Sequence, residues 1–407
     1  MTMRPAAPNR GPLMVMDSDY PIAGGGGAEN QVGTLGRWFN ANGYPTRLIV
    51  PMFEHRAPVT DEVIDGLSVH RIPYPRLRVL GSLILQLRLF IELWRVRRDT
   101  PAIYAHIGSW MAVVCCVAGR LFGIPVLVKM TGSTELVGGP LDPKAGLVAR
   151  IMRSGLGLAT GFQATSREIA EALATVGMPT DRIHRIVNAV QMERFETDTP
   201  GRRAMREAIC PGARFIALFI GRLEPVKGLD LLFEAWALAL RQDLLSWLVL
   251  VGSGQQEQAL REQCERLGIE SRVVFAGQIA SVEHYMGWAD IAVLPSWKEG
   301  LSNAMLECMA AGLPMLGSRV SGTEDFVRPW QTGWLFEPGN VGELAQRLSQ
   351  ARTAGPSLVR EMGRQAHDEI ASRASLDAVA LQLLAVLSLP VPPELEARRH
   401  QCVASPG

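Results

Sequence analysis

The sequence predicts an α/β protein made of two doubly wound domains, each built on a mostly parallel sheet. Short apolar runs that end in glycine, proline or small polar residues alternate with longer stretches of helical period, which is the pattern of βα units. The chain has 407 residues, which is more than one core of roughly 250–300 residues accommodates. These two observations together predict two domains, each large enough to bury a core of its own.

The predicted strands are short runs of apolar residues in both halves of the chain. In the first half they are Leu13–Met16, Arg47–Val50, Leu67–Arg71, Ile103–His106, Val126–Lys129, Phe162–Ala164 and Arg185–Val187. In the second half they are Phe215–Ile220, Trp247–Val251, Val273–Phe275, Ile291–Leu294 and Met315–Gly317. Ligands of open parallel sheets bind beyond the carboxyl ends of the strands. Two facing sheets would therefore form one deep cleft, lined by the residues that follow these runs.

A charged stretch without an apolar period, QMERFETDTPGRR at 191–203, marks the predicted domain boundary. Both ends of the chain are rich in proline and polar residues and are predicted to be disordered. The predicted segments are a disordered N-terminus (1–11), an N-terminal domain (12–193) joined by a C-terminal helix (372–388), a C-terminal domain (194–371) and a disordered tail (389–407).

Composition excludes several classes of protein. Lysine plus arginine (41) nearly balance aspartate plus glutamate (40), so no global field attracts nucleic acid. The 6 cysteines include the adjacent pair Cys115 and Cys116 and form no CxxC motif, which indicates a reducing compartment. The N-terminus lacks the apolar region of a signal peptide, and no apolar run approaches the roughly 18 residues of a membrane-spanning helix. We therefore expect a cytoplasmic protein without a nucleic-acid partner.

A glycine-rich segment, DSDYPIAGGGGAEN, follows the first predicted strand. In it Gly24–Gly27 precede a predicted helix over Ala28–Asn42, which Gly43 ends. Consecutive glycines let the backbone approach a ligand, and the helix N-terminus favours an anion; a plain tight turn is the alternative. The carboxylates of Asp17 and Asp19 allow a metal site, but their position beside this loop favours a role in the turn.

Cations and glycines follow the strands of the second half. FIALFIGRLEPVKGLDLL places Gly221, Arg222, Lys227 and Gly228 directly after a strand. A guanidinium and an ammonium group with room around them suit a diphosphate, and a solvated basic turn explains the segment equally well. VLVGSGQQEQ again places a glycine, Gly252, at a strand end before a helix. The pattern indicates a nucleotide-sized ligand that lies across several strand ends.

Two glutamates, Glu299 and Glu307, interrupt the apolar segment PSWKEGLSNAMLECMAAGLPML at 295–316. We expect Glu299 in a loop after a buried strand, Asn303 as the N-cap, and a helix over Ala304–Ala311. The free amides at the helix start would face an anion, and Glu307 would lie about one turn inside the helix. Carboxylates on both sides of a helix start, among apolar neighbours, favour recognition of ligand hydroxyl groups over a surface role.

One histidine ends a predicted strand in the first half: IYAHIG places His106 at its carboxyl end. A structural and a catalytic role remain open for this residue. The sequence contains neither an HExxH motif nor a GxSxG motif, which excludes the zinc proteases and the α/β-hydrolases.

The segments GGGGAEN, GRLEPVKG, VGSG and EGLSNAMLECMAAGLP resemble, in order and spacing, the retaining nucleotide-sugar glycosyltransferases of family 4. The two glutamates in their PS…EG.SN..LE.MA.G.P setting are the specific part, and the resemblance covers nearly the whole chain. It implies the GT-B fold of two facing Rossmann-like domains with a cleft between them. It also implies a nucleoside-diphosphate sugar donor, a glycan or lipid-linked acceptor, and no metal or other cofactor.

The resemblance implies roles for individual residues. Arg222 and Lys227 would hold the donor diphosphate, Glu307 the ribose hydroxyls and Glu299 the sugar being transferred. His106 matches a family histidine beside the reacting sugar, and it completes the expected catalytic set with Arg222, Lys227 and Glu299. The remaining donor-binding residues would be Gly27, which would close over the donor, Gly252, Gly277 in a segment that faces the base, Gly300, and Leu301, Ser302 and Asn303 through their amides.

The chain departs from the family pattern at two places. Tyr104 stands where the family has the first histidine of a pair, and Asn188-Ala189-Val190-Gln191 replaces Asn-Gly-Val-Asp before the linker. The C-terminal helix, Ser375–Leu387, follows the family and would pack on the first domain. The alternatives are a GT-B sugar-nucleotide epimerase or phosphorylase, and a non-catalytic sugar-binding relative. The intact cations and glutamates argue against loss of activity.

Residues 76–98 have an amphipathic pattern that bears on the acceptor. One interpretation is an interfacial helix that binds anionic membrane and brings the enzyme to a lipid-linked acceptor. The other is an ordinary crossover helix whose apolar stripe packs on the sheet. The stripe consists of Leu80, Leu83, Ile84, Leu87, Ile91 and Trp94, and the surrounding cations are Arg76, Arg78, Arg88, Arg95, Arg97 and Arg98.

Overall fold

The computed structural model of the chain describes residues 10–21, 26–53, 60–195, 202–240, 243, 245–279, 281–392 and 395. The chain divides into two compact units, the first formed by Met1–Ala189 and Leu376–Gly407 and the second by Val190–Ser375. The division lies four residues before the predicted boundary between 193 and 194. Gly24 and Gly25 of the glycine-rich loop, residues 1–9 and most of the predicted tail lie outside the described residues.

A few residues of both predicted disordered ends, 10–11 and 389–392 with 395, lie within the described residues. Gly11 donates its backbone N–H to the carbonyl of Pro45 over 3.1 Å. At the other end, Leu389 and Leu395 are buried in the core of the first unit, and the Tyr44 hydroxyl donates to the carbonyl of Pro390 over 2.5 Å. Burial of these leucines holds the start of the predicted tail in place.

The strands are numbered along the chain. Those of the first unit are β1 (Leu13–Met16), β2 (Arg47–Phe53), β3 (Asp61–Ile64), β4 (Leu67–Tyr74), β5 (Ile103–His106), β6 (Val126–Met130), β7 (Gly161–Ala164) and β8 (Ile183–Arg185). Those of the second unit are β9 (Phe215–Ile220), β10 (Ser246–Val251), β11 (Val273–Gly277), β12 (Ile291–Leu294), β13 (Met315–Ser318) and β14 (Gly333–Phe336).

The helices are numbered in the same way, and α14 returns to the first unit. They are α1 (Gly27–Ala41), α2 (Arg78–Val96), α3 (Trp110–Phe122), α4 (Ser133–Leu136), α5 (Leu147–Leu156), α6 (Arg167–Thr175), α7 (Arg202–Ile209), α8 (Leu229–Leu240), α9 (Glu257–Leu267), α10 (Glu283–Met286), α11 (Asn303–Ala310), α12 (Val341–Thr353), α13 (Gly355–Arg373) and α14 (Leu376–Val386).

The sheet of the first unit has the strand order β3-β4-β2-β1-β5-β6-β7-β8. Its strands run parallel except for β3, which pairs with β4 in the antiparallel direction. The sequence analysis missed β3 because this edge strand is polar and largely exposed, so it contains no apolar run. The predicted strand Arg185–Val187 starts two residues too late, since β8 already begins at Ile183.

Helices cover both faces of this sheet, which is why its central strands are apolar on both sides. On one face α2, α3 and α5 bury residues such as Leu89, Ala112 and Leu156 against the sheet. On the other face α1 and α14 bury Phe39 and Leu384. A hydrogen bond of 2.6 Å from the indole nitrogen of Trp38 to Asp377 joins these two helices. α14 is therefore part of the first core although it ends the chain.

The exposed face of α2 is the apolar stripe that the sequence analysis identified. The residues that pack on the core are instead Leu85, Leu89 and Leu93, and Ile84 is half-buried. The crossover-helix interpretation is therefore confirmed in that α2 packs on the core, but it named the wrong residues for the packing face. The exposed fractions are 56% for Leu80, 60% for Leu83, 62% for Leu87, 37% for Ile91 and 51% for Trp94.

The second unit contains a fully parallel sheet with the order β11-β10-β9-β12-β13-β14. The chain proceeds outward from β9 to β10 and β11, and then returns to the other side of β9 to form β12. The strand order thus reverses between β9 and β12, and such reversals are where open α/β sheets bind their ligands. The sequence analysis missed β14, a strand of four residues that begins with glycine.

We expect the Leu384→Ala substitution to destabilise the first unit by about 3 kcal/mol, because the side chain is fully buried and its removal leaves a cavity. Urea denaturation of the purified protein measures the change. The matched control is Leu121→Ala on α3, where the leucine is 65% exposed and the change should stay within about 0.5 kcal/mol. Equal effects of both substitutions would contradict the assignment of α14 to the core.

Candidate active site

Four neighbouring strands of the second unit, β11, β10, β9 and β12, end in loops that contain the predicted donor-binding residues. Gly277 ends β11, Gly252 follows β10, Lys227 lies in the loop after β9, and Glu299 lies in the loop after β12. The sheet therefore brings residues from a span of more than 70 positions to one edge. This edge includes the point where the strand order reverses.

Glycine allows these loops to pack backbone against backbone. Gly252 has φ +139°, and a Cβ atom there would lie 1.9 Å from the carbonyl oxygen of Gly221. Its N–H donates to the carbonyl of Gly277 over 2.8 Å. Gly228 has φ +63°, and a Cβ atom there would lie 2.2 Å from the carbonyl oxygen of Pro295. Any larger residue at either position would push two loops apart, so the glycines set the shape of the edge.

Lys227 and Glu299 form an ion pair across the reversal point. The ammonium nitrogen lies 2.7 Å from Oε2 of Glu299, and the two side chains are only 14% and 15% exposed. The Ser296 hydroxyl donates to the same carboxylate oxygen over 3.1 Å. The hydroxyl of Ser318 in turn donates to the carbonyl of Ser296 over 2.6 Å. Two predicted site residues are thus held in contact, and the serines that support them were missed because no local motif marks them.

Arg222 lies in a more open position than Lys227. Its side chain is 75% exposed, and its guanidinium contacts the carboxylate of Glu224 at 2.8 Å. An exposed pair of this kind contributes little to stability and separates easily. The guanidinium is therefore free to turn toward an anionic ligand, and its predicted contact with a diphosphate stays a prediction.

The start of α11 differs from the prediction by one residue. Ser302, not Asn303, is the N-cap: its backbone is extended, and its hydroxyl accepts the N–H of Met305 over 3.3 Å. Asn303 is instead the first residue of the helix. Among the described residues, none accepts a hydrogen bond from the N–H of Leu301 or Ser302. These amides, beside Gly300, remain available to an anion at the positive end of the helix.

Glu307 lies half-buried on α11, and no described residue donates a hydrogen bond to its carboxylate. Burial raises the pKa of this carboxyl group, Arg194 opposes the rise and Glu283 adds to it. Arg194 and Glu283 contact each other at 3.3 Å. The sequence analysis missed both residues: Arg194 lies in the stretch interpreted as a domain boundary, and only the fold brings it near Glu307.

His106 ends β5 in the first unit and is 2% exposed. Its two ring nitrogens have no hydrogen-bond partner among the described residues. Its ring packs on that of Tyr104 with the centroids 4.2 Å apart. Tyr104, at the position of the family's first histidine, donates its hydroxyl to Gln163 Oε1, and Gln163 donates to the carbonyl of Ile186 over 2.8 Å. Tyr104 is thus anchored, whereas His106 keeps both nitrogens free.

Lys129 is a buried cation that the sequence analysis did not identify. It lies on β6 in register with His106 on β5 and with Gln163 on β7. Because the side chain is 2% exposed, burial lowers the pKa of Lys129 to about 7. Burial and the neighbouring Lys129 lower the pKa of His106 well below its ordinary value. The imidazole is therefore neutral at pH 7, and polar side chains form a row across the apolar sheet.

The glycine-rich loop of the first unit is described from Gly26 onward, and Gly27 is the first residue of α1. The carboxylate of Asp19 accepts the N–H of Tyr20 over 3.0 Å, which supports the turn interpretation of the DSD segment. No group of three or more His, Cys, Asp or Glu side chains within the described ranges is placed to hold a metal ion. Metal independence stays a prediction.

We expect Lys129→Met to stabilise the protein at pH 7 by on the order of 3 kcal/mol, because the native state disfavours the lysine charge. The unfolded state binds this proton between about pH 7 and pH 10, so the free energy of unfolding of the unmodified protein rises with pH across that window. Urea titrations at pH 7, 8 and 9 should show this rise, and the variant should lose it. Lys144→Met, at an exposed lysine, is the control that should keep the slope.

Two family models match the chain. "Glycosyl transferase 4-like domain" matches residues 26–189, and "Glycosyl transferases group 1" matches residues 214–353. Together they cover about three quarters of the chain. The first match contains His106, and the second contains Arg222, Lys227, Glu299 and Glu307.

Characterised proteins resemble the chain over most of its length. Alpha-D-kanosaminyltransferase of Streptomyces kanamyceticus is 28% identical over 320 residues, which are 75% of this chain and 81% of the relative. N-acetyl-alpha-D-glucosaminyl L-malate synthase of Bacillus anthracis is 24% identical over 356 residues, with 86% and 90% of the two chains covered.

The crystal structure of HepE from Anabaena in complex with UDP-glucose has the same fold. The TM-score is 0.73 at 20% identity, with 92% of this chain and 99% of that chain covered.

The matches do not favour an epimerase or a phosphorylase, because both family models describe glycosyl transferases. Within the described residues no helix is long and apolar enough to cross a membrane. The chain belongs to the group 1 glycosyl transferases and is a glycosyltransferase with the GT-B fold.

Proposed function

We propose that this glycosyltransferase moves a hexose, with retention of configuration, from a UDP- or GDP-linked sugar to a hydroxyl group of a glycan or lipid-linked acceptor. The observation that carries the proposal is the pairing of Lys227 with Glu299 at the point of strand reversal. A nucleotide sugar presents an anionic diphosphate next to a sugar rich in hydroxyl groups, so it needs a cation and a carboxylate side by side. HepE, which shares the fold, was solved with UDP-glucose.

The cations and the amides of α11 would stabilise the leaving nucleoside diphosphate. Lys227 would neutralise one phosphate, and the exposed guanidinium of Arg222 would turn from Glu224 to the other. The free N–H groups of Leu301 and Ser302, at the positive end of α11, add hydrogen bonds to the developing charge. These groups would supply the charge stabilisation that a metal ion supplies in other transferases.

Glu307 and the glycine turns would bind the nucleoside. The carboxylate of Glu307 accepts no hydrogen bond from a described residue, which leaves its oxygens for the two ribose hydroxyls. The backbones of Gly252 and Gly277 lie in contact with each other and carry no side chain, so a flat base has room beside them. Asn303, Gly300 and Gly27 complete the proposed donor contacts.

The chemical step we propose has no covalent intermediate with the enzyme. The acceptor hydroxyl attacks the anomeric carbon from the face on which the bond to the phosphate oxygen breaks. The hydroxyl proton passes to that phosphate oxygen, so the products are a glycoside with retained configuration and a nucleoside diphosphate. His106, whose ring is buried and neutral, would add no charge beside the reacting sugar. Glu299 would hold the sugar hydroxyls.

The enzyme would act in the cytoplasm at the inner face of the membrane, in the biosynthesis of a cell-surface polysaccharide or glycolipid. The exposed stripe on α2 supports this placement, because apolar side chains there stand free of the core. The cations Arg95, Arg97 and Arg98 near the end of α2 complement anionic lipid head groups. A surface of this composition suits the interface of an anionic bilayer.

Thermal-shift measurements with UDP-, GDP- and ADP-sugars test the proposed donor class. A donor present at 100 times its dissociation constant should stabilise the protein by about 2.7 kcal/mol. The sugar nucleotide with the largest shift should also be hydrolysed slowly in the absence of an acceptor. If no sugar nucleotide of the panel shifts the unfolding temperature, the proposed function is wrong.

We expect Lys227→Ala and Arg222→Ala each to lower the turnover number by about 10²-fold at saturating donor, because each removes a charge that stabilises the leaving group. Initial rates with the donor found in the thermal-shift panel measure the effect. Arg360→Ala is the matched control, since Arg360 is an exposed arginine of the same unit on α13. Unchanged rates in both site variants would refute the assigned roles.

We expect the purified protein to sediment with vesicles that contain anionic phosphatidylglycerol at low salt and to be released by high salt. The double substitution Leu83→Asp and Leu87→Asp should abolish sedimentation, because it places two anions on the exposed stripe. Leu238→Asp, at a 69% exposed leucine of the second unit, should have no effect. Neutral vesicles serve as the lipid control, and binding that the double variant retains would rule out α2 as the membrane-binding surface.

A further inference from the structure

A cavity of about 430 Å³ opens in the first unit beyond the carboxyl end of β5. Its walls are the loop that follows His106, the turn before α5 and the first turns of α5. A cavity of this volume falls within the range of about 300–1,000 Å³ that is typical of small-molecule sites. None of the residue roles assigned above uses it.

The walls of the cavity are mainly apolar. Ile107, Pro140 and Met152 line it together with Leu147 and Val148 of the first turn of α5. Leu147 is 72% exposed and Val148 is 64% exposed, so neither contributes much to the core. Exposed apolar side chains gathered around a concave surface are typical of a site whose apolar occupant is absent.

The backbone at one wall is strained. Ile107 has φ +72°, a conformation that a β-branched residue rarely adopts outside special sites. It directly follows His106, where β5 ends. Such strain persists where the surrounding structure holds it in place, and it is concentrated at ligand-binding sites. Ile107 therefore holds a strained conformation at the wall of the cavity, next to the predicted catalytic residue His106.

The carboxylate in the wall of the cavity offers a ligand little hydrogen bonding, whereas Ser109 contributes a hydroxyl group to the wall. Glu135 lines the cavity and is 1% exposed. Its carboxylate accepts the N–H groups of Gly132 at 3.0 Å, Thr131 at 3.2 Å and Gly108 at 3.4 Å, and the hydroxyl of Thr131 at 3.3 Å. A carboxylate has about four acceptor positions, and these four protein donors occupy the acceptor positions of Glu135. Glu135 fixes the loops after β5 and β6, and most of the other side chains that line the cavity are apolar.

We infer that the cavity binds an alkyl or aryl group of the acceptor, so that the acceptor is an amphiphile with its hydroxyl end toward the loop of His106. This inference rests on the proposed transferase function and narrows its acceptor to one chemical class. A purely polar glycan acceptor would leave the apolar walls of the cavity in contact with water.

Binding of alkyl glucosides tests the cavity without a donor. Calorimetric titration, below the micelle concentration, compares n-octyl β-D-glucopyranoside with methyl β-D-glucopyranoside. The octyl compound should bind at least 10-fold more tightly, because each buried methylene adds favourable transfer free energy. Leu147→Asp and Val148→Asp should each remove this preference, and Leu238→Asp should keep it. All three substituted residues are largely exposed, so the fold should tolerate the changes.

The inference is overturned if the octyl compound binds no more tightly than the methyl compound, or if Leu147→Asp and Leu238→Asp change its affinity equally. A second readout uses the donor identified by thermal shift. Leu147→Asp should raise the KM of an alkyl-bearing acceptor at least 10-fold and leave donor-induced stabilisation and donor hydrolysis unchanged. If the unmodified protein binds no sugar nucleotide, the proposed function is refuted. The titration with alkyl glucosides would still test whether the cavity binds an alkyl group.

Discussion

The ion pair between Lys227 and Glu299 connects the loops after β9 and β12, the two strands between which the strand order of the second sheet reverses. Both side chains are mostly removed from water, where an unpaired charge is costly. Each residue therefore depends on the other as long as no ligand is bound. A ligand that enters this edge has to offer an anion to the lysine and hydrogen-bond donors to the glutamate. The nucleotide sugar is the ligand class that offers both on adjacent groups.

The sequence predicted the parts of the fold that depend on local chemistry. β1, β5, β9 and β12 have the predicted boundaries, because strands buried on both faces appear as unbroken apolar runs. Tertiary context decided the rest. β3 is a polar edge strand, and α2 buries Leu89 and its neighbours rather than the more conspicuous stripe. Apolar periodicity identifies a helix, but it does not reveal which of two apolar faces meets the sheet.

The candidate site divides in the same way. Gly252, Lys227 and Glu299 could be identified from sequence because glycine turns and charges after strands are visible in the chain. Lys129 could not be identified in this way. A single lysine at the end of an apolar run shows only where a strand ends, and its position beside His106 follows from the pairing of β5 with β6. The cavity is likewise invisible in sequence, because its walls combine a strained residue after β5 with the first turns of a helix some 40 residues later.

The close contact between Gly252 and Gly221 also limits how the enzyme can be altered. No side chain fits at Gly252, because its Cβ atom would overlap a backbone carbonyl, so that turn cannot be enlarged without moving the loop of Gly221. Arg222 is exposed and, within the described part of the chain, is held by Glu224 alone, so its replacement should not disturb the packing of the loops. Because Arg222 is a proposed contact of the diphosphate, directed evolution toward another nucleotide sugar should vary the other exposed positions after β9, Pro225 and Val226, and leave Arg222 and the glycines intact.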